Sequence, residues 1–543
     1  MGIPVADGFP LSLAKLAASV ARRPWRALPA AAELTANLAA AGARTAALAL
    51  GQVGAGRPVV APADKDRRFS DPAWTAHPWF YAAGQSYLAW ARFARGVAAQ
   101  GDHKARFATE AVVDALAPTN FLLTNPAALR KAVETGGESL RAGMRNFVAD
   151  VATNRGRPRQ VSAGAFAVGV DLAATPGQVV RRDDLMELIQ YAPQTETVHQ
   201  SPLLMSPPWI NKYYIMDLAP GRSFVEWAVQ HGHTVFTISY RNPDASMRDV
   251  ALDDYLRALD KAVGTVREIT GAPEVNVVGL CVGGTLAVAL AAHHAQTGGR
   301  SIRSLTLLNT LVDFSEPGAL GVFTDRAAIE RLEARMAETG FLDEAEMTTT
   351  FDFLRANDLI WNYVVTGWLM GEPAAAFDIL AWNADPTRIS ETTHSFYLRN
   401  FYLENRLARS ELALAGQRLD LAQLEADTYI LAAAEDHITP WKSSYRTTGL
   451  LPVKIRFVLS SSGHIAGVVN PPSNKRRYWT NDDLPADPDQ WLAEATEHTG
   501  SWWGDWTAWI ADRAGAQRPP PPMGSAAHPP IDGAPGTYVR RDS

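Results

Sequence analysis

Val275-Asn276-Val277-Val278-Gly279-Leu280-Cys281-Val282-Gly283-Gly284 is the stretch that decides the fold. A β-branched run breaks into glycines around a cysteine. A strand that turns sharply into a helix needs small residues on either side of its tip, because backbone and side chains crowd each other there. The residue at such a tip is presented outward, as a nucleophile must be. Cys281 is the only cysteine among 543 residues, so the single thiol falls where catalysis would use it. The plainer alternative is a small buried hydrophobe on a glycine-rich turn, since free cysteine is commonly buried.

Outward from this point, the pattern G-x-nucleophile-x-G is that of an α/β-hydrolase elbow, with cysteine in the place usually held by serine. From about residue 171 strand-like and helix-like segments alternate, which implies a largely parallel sheet. The candidate strands are Pro202–Ser206, Thr234–Tyr240, Val275–Val278, Leu305–Leu308, Thr428–Ala432 and Lys454–Leu459. Between two of them, Leu252, Leu256, Leu259 and Val263 form an apolar stripe at helical spacing. The expected fold class is therefore α/β: an α/β-hydrolase fold over residues 171–515. It carries a lid-like aromatic insertion at about 312–400 and follows a mostly helical N-terminal domain, 1–170. Residues 516–543, with Pro519–Pro522 and Pro529-Pro530, read as a mobile low-complexity tail.

The N-terminal region has Ala-rich stretches at Leu11–Ala21 and Ala30–Leu50. They are followed by Trp74, Trp79, Phe80, Tyr87, Trp90 and Phe93, which suit core packing. No catalytic constellation falls there, so an accessory or assembly role is expected. The length calls for more than one domain. A single cysteine excludes an intrachain disulfide framework and a Cys-rich metal site, and it suits a reducing compartment. The formal charge of −6 and the lack of a basic stripe argue against a nucleic-acid partner. Lys15, Arg22 and Arg23 interrupt the only apolar stretch near the start, so no export signal is expected. The uncharged run Val275–Gly299 contains the elbow glycines and reads as a strand and a buried helix, so no transmembrane segment is expected.

A thiol nucleophile needs a general base and a group that orients the base. The chain order in this fold is nucleophile, acid, histidine. Two segments supply it: Ala434-Glu435-Asp436-His437-Ile438-Thr439 after one candidate strand, and Ser461-Ser462-Gly463-His464 after the last. Cys281, Asp436 and His464 would then stand beyond the carboxyl ends of parallel strands, where such sheets place their sites. Glu435 could replace Asp436, which could itself be a helix cap, and His437 could replace His464. The small, Gly-flanked loop after the last strand favours His464. An oxyanion hole would use the backbone N–H of Val282 and a second donor, Ile210, from the loop Ser206–Lys212.

At this point several long motifs resemble the polyhydroxyalkanoate synthases. They are PPWINKYYIMDL at 207–218, RNPDASM at 241–247, GLCVGG at 279–284, NDLIWNY at 357–363, EDHITPW at 435–441 and GHIAGVVNPP at 463–472. WTND at 479–482 and SWWGDWTAW at 501–509 belong with them. The resemblance covers roughly residues 68–515 and places the family's catalytic Cys, Asp and His on Cys281, Asp436 and His464. It implies an (R)-3-hydroxyacyl-CoA substrate, release of CoA, and a growing polyester chain carried as a thioester on Cys281, with no separate cofactor. His464 would deprotonate the thiol, and Asp436 would help activate the 3-hydroxyl, directly or through His464. It further implies a CoA or substrate channel near Arg355, Asn405, Trp382 and His437, a homodimer, and a cytoplasmic location at the surface of polymer granules. The single-subunit type is indicated. The motifs at 207–214 and 463–472 favour its short-chain class, although Trp209 stands where short-chain members carry a small residue. The aromatic face Trp502, Trp506 and Trp509 is expected in the core. The rivals are a thioesterase or polyester depolymerase on the same fold, and a non-catalytic granule-coating protein.

Overall fold

The computed structural model describes residues 9–540 apart from residues 53, 55 and 65. The chain forms two compact units, one of residues 1–162 with 348–375 and one of 163–347 with 376–543.

The first unit is helical. Its longer helices are Phe9–Arg22, Leu28–Ala49, Pro78–Ala98, His103–Ala115 and Glu138–Thr153. In Pro78–Ala98 the buried Phe80, Gly84, Tyr87, Leu88 and Ala91 recur at helical spacing, and Pro78 at the first turn needs no N–H partner. Trp74, Phe80 and Tyr87 are core residues as expected, whereas Trp79 is 56% exposed. Residues 348–375 pack here as helical turns, π-helical at Asn357–Trp361 and Val364–Leu369. Asn357 accepts from Arg68 and donates to Asp114, and the Trp368 indole donates to Asp150. Gly143 is needed there, because a Cβ would lie 1.9 Å from the Trp368 carbonyl oxygen. The expected boundaries therefore differ from the observed ones: part of the 312–400 insertion belongs to the helical unit, held by polar pairings far apart in sequence.

The second unit is built on an eleven-stranded sheet. Its strands are β1 (Gly177–Arg182), β2 (Met186–Tyr191), β3 (Leu203–Ser206), β4 (Val235–Tyr240), β5 (Val275–Leu280) and β6 (Ile302–Leu308). They continue as β7 (Asp427–Ala433), β8 (Ile455–Ser460), β9 (Arg477–Thr480), β10 (Thr496–Thr499) and β11 (Asp532–Gly533). The spatial order is β10-β9-β8-β7-β6-β5-β3-β4-β2-β1-β11. The run from β8 to β4 is parallel, and the flanking strands are antiparallel. All six candidate strands lie in this parallel centre. Helix Leu252–Thr270 lays Leu252, Leu256, Leu259 and Val263 on the sheet and ends at Gly271 in the left-handed conformation. Helix Val282–Thr297 is buried over almost its whole length, which explains its long uncharged run. Trp502 and Trp506 are fully buried.

The proline-rich tail is a correction to the expectation of a mobile segment. Buried polar residues need partners, and β2 carries two, Glu187 and Gln190. Gln190 donates to the Pro522 carbonyl and accepts from the Gly524 N–H. Glu187 accepts from the Thr537 and Tyr538 backbone N–H groups and from the Thr537 hydroxyl. Between these points β11 adds an antiparallel edge to β1. Among the described residues no helix is long and apolar enough to cross a membrane.

Candidate active site

Parallel register brings Leu280, Leu308, Leu431 and Val458 side by side across β5, β6, β7 and β8, so the loops after these strands emerge together. Cys281 follows β5 at the tip of the turn, 8% exposed, with φ 53° and ψ −124°. A non-glycine residue in such a conformation persists only where its surroundings over-determine it. Here the Cys281 N–H donates to the Leu308 carbonyl, and its carbonyl accepts from the Gly284 N–H and the Thr310 hydroxyl. The glycines make the turn possible. A Cβ on Gly283 would sit 2.1 Å from the Ser206 carbonyl oxygen, and one on Gly284 would sit 2.1 Å from the Thr310 hydroxyl.

Asp436 leaves β7 with its carboxylate fully buried. One oxygen accepts from the Ile438 and Thr439 N–H groups, and the other from the Thr439 hydroxyl at 2.7 Å and His464 Nδ1 at 2.6 Å. It thus staples its own loop and holds the histidine at once, and it is not a helix cap, since the following helix Trp441–Tyr445 starts after Pro440 with no side-chain cap. Burial pushes the Asp436 carboxyl up, but His464 and then Thr439 hold it below the usual carboxylate range. Burial likewise depresses His464, yet the charges of Asp436 and Cys281 and hydrogen bonds to both raise it to about 10. Asp436 is hydrogen-bonded to His464, and the Cys281 sulfur stands close enough to His464 to raise it, so the three groups form a line. It can accept a proton from sulfur and hold it as an imidazolium between two anions.

The alternatives separate cleanly. Glu435 is exposed and His437 is half-buried on the same loop, whereas Asp436 and His464 are buried and bonded to each other. Two residues that the sequence did not single out complete the arrangement. The Thr439 hydroxyl bonds Asp436 and also reaches the Asn309 carbonyl. Asn309, at the end of β6 with φ 43°, donates its side-chain amide to the His464 carbonyl. The only trace this leaves in sequence is an asparagine, a residue that tolerates positive φ, just past a candidate strand. Tyr397 and Tyr402 stand near the Cys281 sulfur. Burial, above all, raises both phenols, and the Cys281 charge adds to it. The two tyrosines pack edge to face on each other and on Phe314.

The remaining candidates fall as follows. Val282 opens the helix after Cys281, so its N–H belongs to the unpaired first turn. Ile210 is half-buried and packs on the core, in a loop that Pro207 presses against Gly283. Trp382 is a core aromatic, and its indole donates to the Lys212 carbonyl. Asn405, with φ 49°, accepts from the Phe314 N–H and donates to Asp313, fixing the loop beyond β6. Arg355 lies in the helical unit, exposed and ion-paired with Asp358.

Residues 65–228 match the family described as poly-beta-hydroxybutyrate polymerase (PhaC) N-terminus, and residues 218–471 match the alpha/beta hydrolase fold. The poly(3-hydroxyalkanoate) polymerase subunit PhaC of Cupriavidus necator is 47% identical, over 88% of this chain and 83% of its own. The poly(3-hydroxyalkanoate) polymerase of Methylorubrum extorquens is 44% identical, over 98% and 90%. Poly(3-hydroxyalkanoate) polymerase 1 of Ectopseudomonas oleovorans is 41% identical, over 89% and 88%. Among solved structures, a monoglyceride lipase of Saccharomyces cerevisiae aligns over 65% of this chain and 99% of its own. Its 11% identity and TM-score of 0.37 are too loose to add to this. The chain belongs to the poly(3-hydroxyalkanoate) polymerase family, as an acyl-transferring enzyme built on an α/β-hydrolase fold.

Proposed function

We propose that this enzyme polymerises (R)-3-hydroxyacyl-CoA with release of CoA, carrying the acyl chain as a thioester on Cys281 and using no separate cofactor. The observation that carries the proposal is the line Asp436–His464–Cys281, made with the chain's single thiol. In the first half-reaction His464 takes the thiol proton and sulfur adds to the thioester carbonyl. The new C–S bond forms as the bond to CoA breaks, and the proton leaves with CoA. In the second, the 3-hydroxyl of another acyl unit gives its proton to His464 and attacks the Cys281 thioester. An ester C–O bond forms, the C–S bond breaks, and sulfur recovers the proton. Asp436 acts in both through His464. Its carboxylate is fully buried and already accepts four hydrogen bonds, which disfavours direct contact with the hydroxyl. The carbonyl oxygen is received by the Val282 N–H and the 206–212 loop, with Ile210 as donor.

Short acyl groups are the proposed substrates, since Trp209, Phe314 and Tyr402 all pack on Tyr397, which stands near the nucleophile. A homodimer at the surface of cytoplasmic polymer granules is the proposed setting, with the growing polyester as second ligand. Asn405, Trp382 and His437 are proposed to border the path of CoA or substrate, Trp382 and Asn405 through the loops they hold.

The test supplies purified enzyme with 3-hydroxybutyryl-CoA, measures free CoA with a thiol reagent in quenched samples, and analyses the acyl product. CoA with insoluble polyester is expected. CoA with only free 3-hydroxybutyrate would make the protein a thioesterase, and polyester formed by Cys281→Ala would remove the covalent step.

A further inference from the structure

The loop from Ser206 to Lys212 follows β3 and runs against the elbow. The Ser206 hydroxyl donates to the Gly283 carbonyl at 3.0 Å, and no Cβ fits between Gly283 and the Pro207 backbone. Two prolines deprive this loop of backbone donors at 207 and 208, so its useful N–H groups lie between Trp209 and Lys212. That stretch is fastened at several points. Trp209 packs between Tyr255 and Tyr397, and its carbonyl accepts from the Thr387 hydroxyl. The Lys212 carbonyl accepts from the Trp382 indole at 2.8 Å.

Its end is fastened by a group from far along the chain. The Lys212 side chain is 9% exposed, and its ammonium pairs with Asp385 at 2.6 Å and donates to the Val539 carbonyl at 2.9 Å. Val539 is 2% exposed and stands with Trp209, Asn211 and Lys212 in the lining of one narrow crevice. The tail cannot drift from this place easily. Two residues upstream, Thr537 and Tyr538 are clamped by the buried Glu187, and the Tyr538 hydroxyl donates to the Asp183 carbonyl. Gly536 makes the approach possible, since a Cβ there would lie 2.3 Å from the Glu187 carboxylate.

We infer that Lys212 is a positioning residue, and that the segment Thr537–Val539 is a strap which, through Lys212, holds the 206–212 loop in register with the Cys281 elbow. This rests on the proposed role of that loop as oxyanion donor. Preorganised donors contribute only when they are fixed where charge develops. A misplacement of about 1 Å costs on the order of a hundredfold in rate. Lys212 touches no reacting atom and acts through the loop's backbone.

The test compares the full-length enzyme with Lys212→Met, Lys212→Arg and a chain ended after Gly536. Two readouts are taken: steady-state CoA release from 3-hydroxybutyryl-CoA, and the rate of Cys281 alkylation by iodoacetamide. Alkylation uses the thiol and its base but no oxyanion donor, and the single cysteine makes it unambiguous. In Lys212→Met and the shortened chain, kcat should fall about tenfold to a hundredfold with KM within about twofold. Alkylation should stay at the full-length rate, and Lys212→Arg should recover most of kcat. Full kcat in Lys212→Met would overturn the inference while leaving the Cys281 assignment intact. A fall in alkylation parallel to kcat in Lys212→Met would overturn it too, by showing a general disturbance of the site. Absence of CoA release from the full-length enzyme would instead defeat the proposed function itself.

Discussion

The elbow at Cys281 and the loops bearing Asp436 and His464 sit on neighbouring strand ends but are held by opposite means. The elbow is fixed by lack of space. Gly279, Gly283 and Gly284 leave no room for a side chain, and Cys281 is forced to positive φ between Gly279 and Gly283. The loops are fixed by hydrogen bonds that run sideways between them, through Thr439 and Asn309. A part held by exclusion fails when an atom is added. A part held by hydrogen bonds fails when a donor or a charge is taken away.

Four measurements sharpen that contrast. The largest effect is expected for Asp436→Asn, which keeps shape but removes the charge that orients and charges His464. CoA release should fall about 10³- to 10⁴-fold with little change in fold. A loss under about tenfold would mean that the loops do not set the base. Gly283→Ala comes next, because its Cβ must displace the Ser206 and Pro207 backbone. Denaturant unfolding should show a loss of about 3 kcal/mol, and kcat should fall about a hundredfold as the elbow shifts. An unchanged midpoint would refute control by space. Thr439→Val keeps the volume and deletes the hydroxyl that bonds Asp436. The expected cost is about 1–2 kcal/mol, with kcat lower by about tenfold. Unaltered kcat would show that the backbone N–H bonds to Asp436 suffice.

The smallest effect is a linkage between pH and stability. Burial lowers the pKa of His464, but Asp436 and Cys281 raise it to about 10 in the folded enzyme, against about 6.5 in an unfolded chain. Between these values the folded state binds more protons, so stability falls as pH rises. The contribution is whole below about pH 6.5 and fades towards about pH 10. The gap in Tm between wild type and His464→Gln should therefore narrow by a few degrees across that range. A gap that widens with pH would contradict the raised His464.

The same contrast explains how much was legible in sequence. Space leaves a trace, because only glycine fits: the run Gly279 to Gly284 announced the elbow, the strand before it and the helix after it. The parallel centre of the sheet was legible too, since strands buried on both faces read as apolar runs, Val275–Val278 and Thr428–Ala432 among them. Hydrogen bonds between distant segments leave little. Nothing near Asn309 states that its amide meets His464, and nothing in Asn357–Leu369 states that Asp114 and Asp150 will hold it. The antiparallel margins were equally silent. β10 is Thr496-Glu497-His498-Thr499, as polar as a loop. The tail misled for a related reason: its prolines suggested looseness, while its real anchors, Glu187 and Gln190, are on the far side of the sequence.

That tail has a consequence for anyone who builds with this enzyme. Among the described residues the last buried one is Val539, and Arg540 after it is exposed. A reporter or affinity tag joined close behind this segment would pull on a strap whose carbonyl is already taken by Lys212. A flexible spacer of Gly and Ser between the strap and any cargo would let the cargo tumble without tugging on the catalytic face.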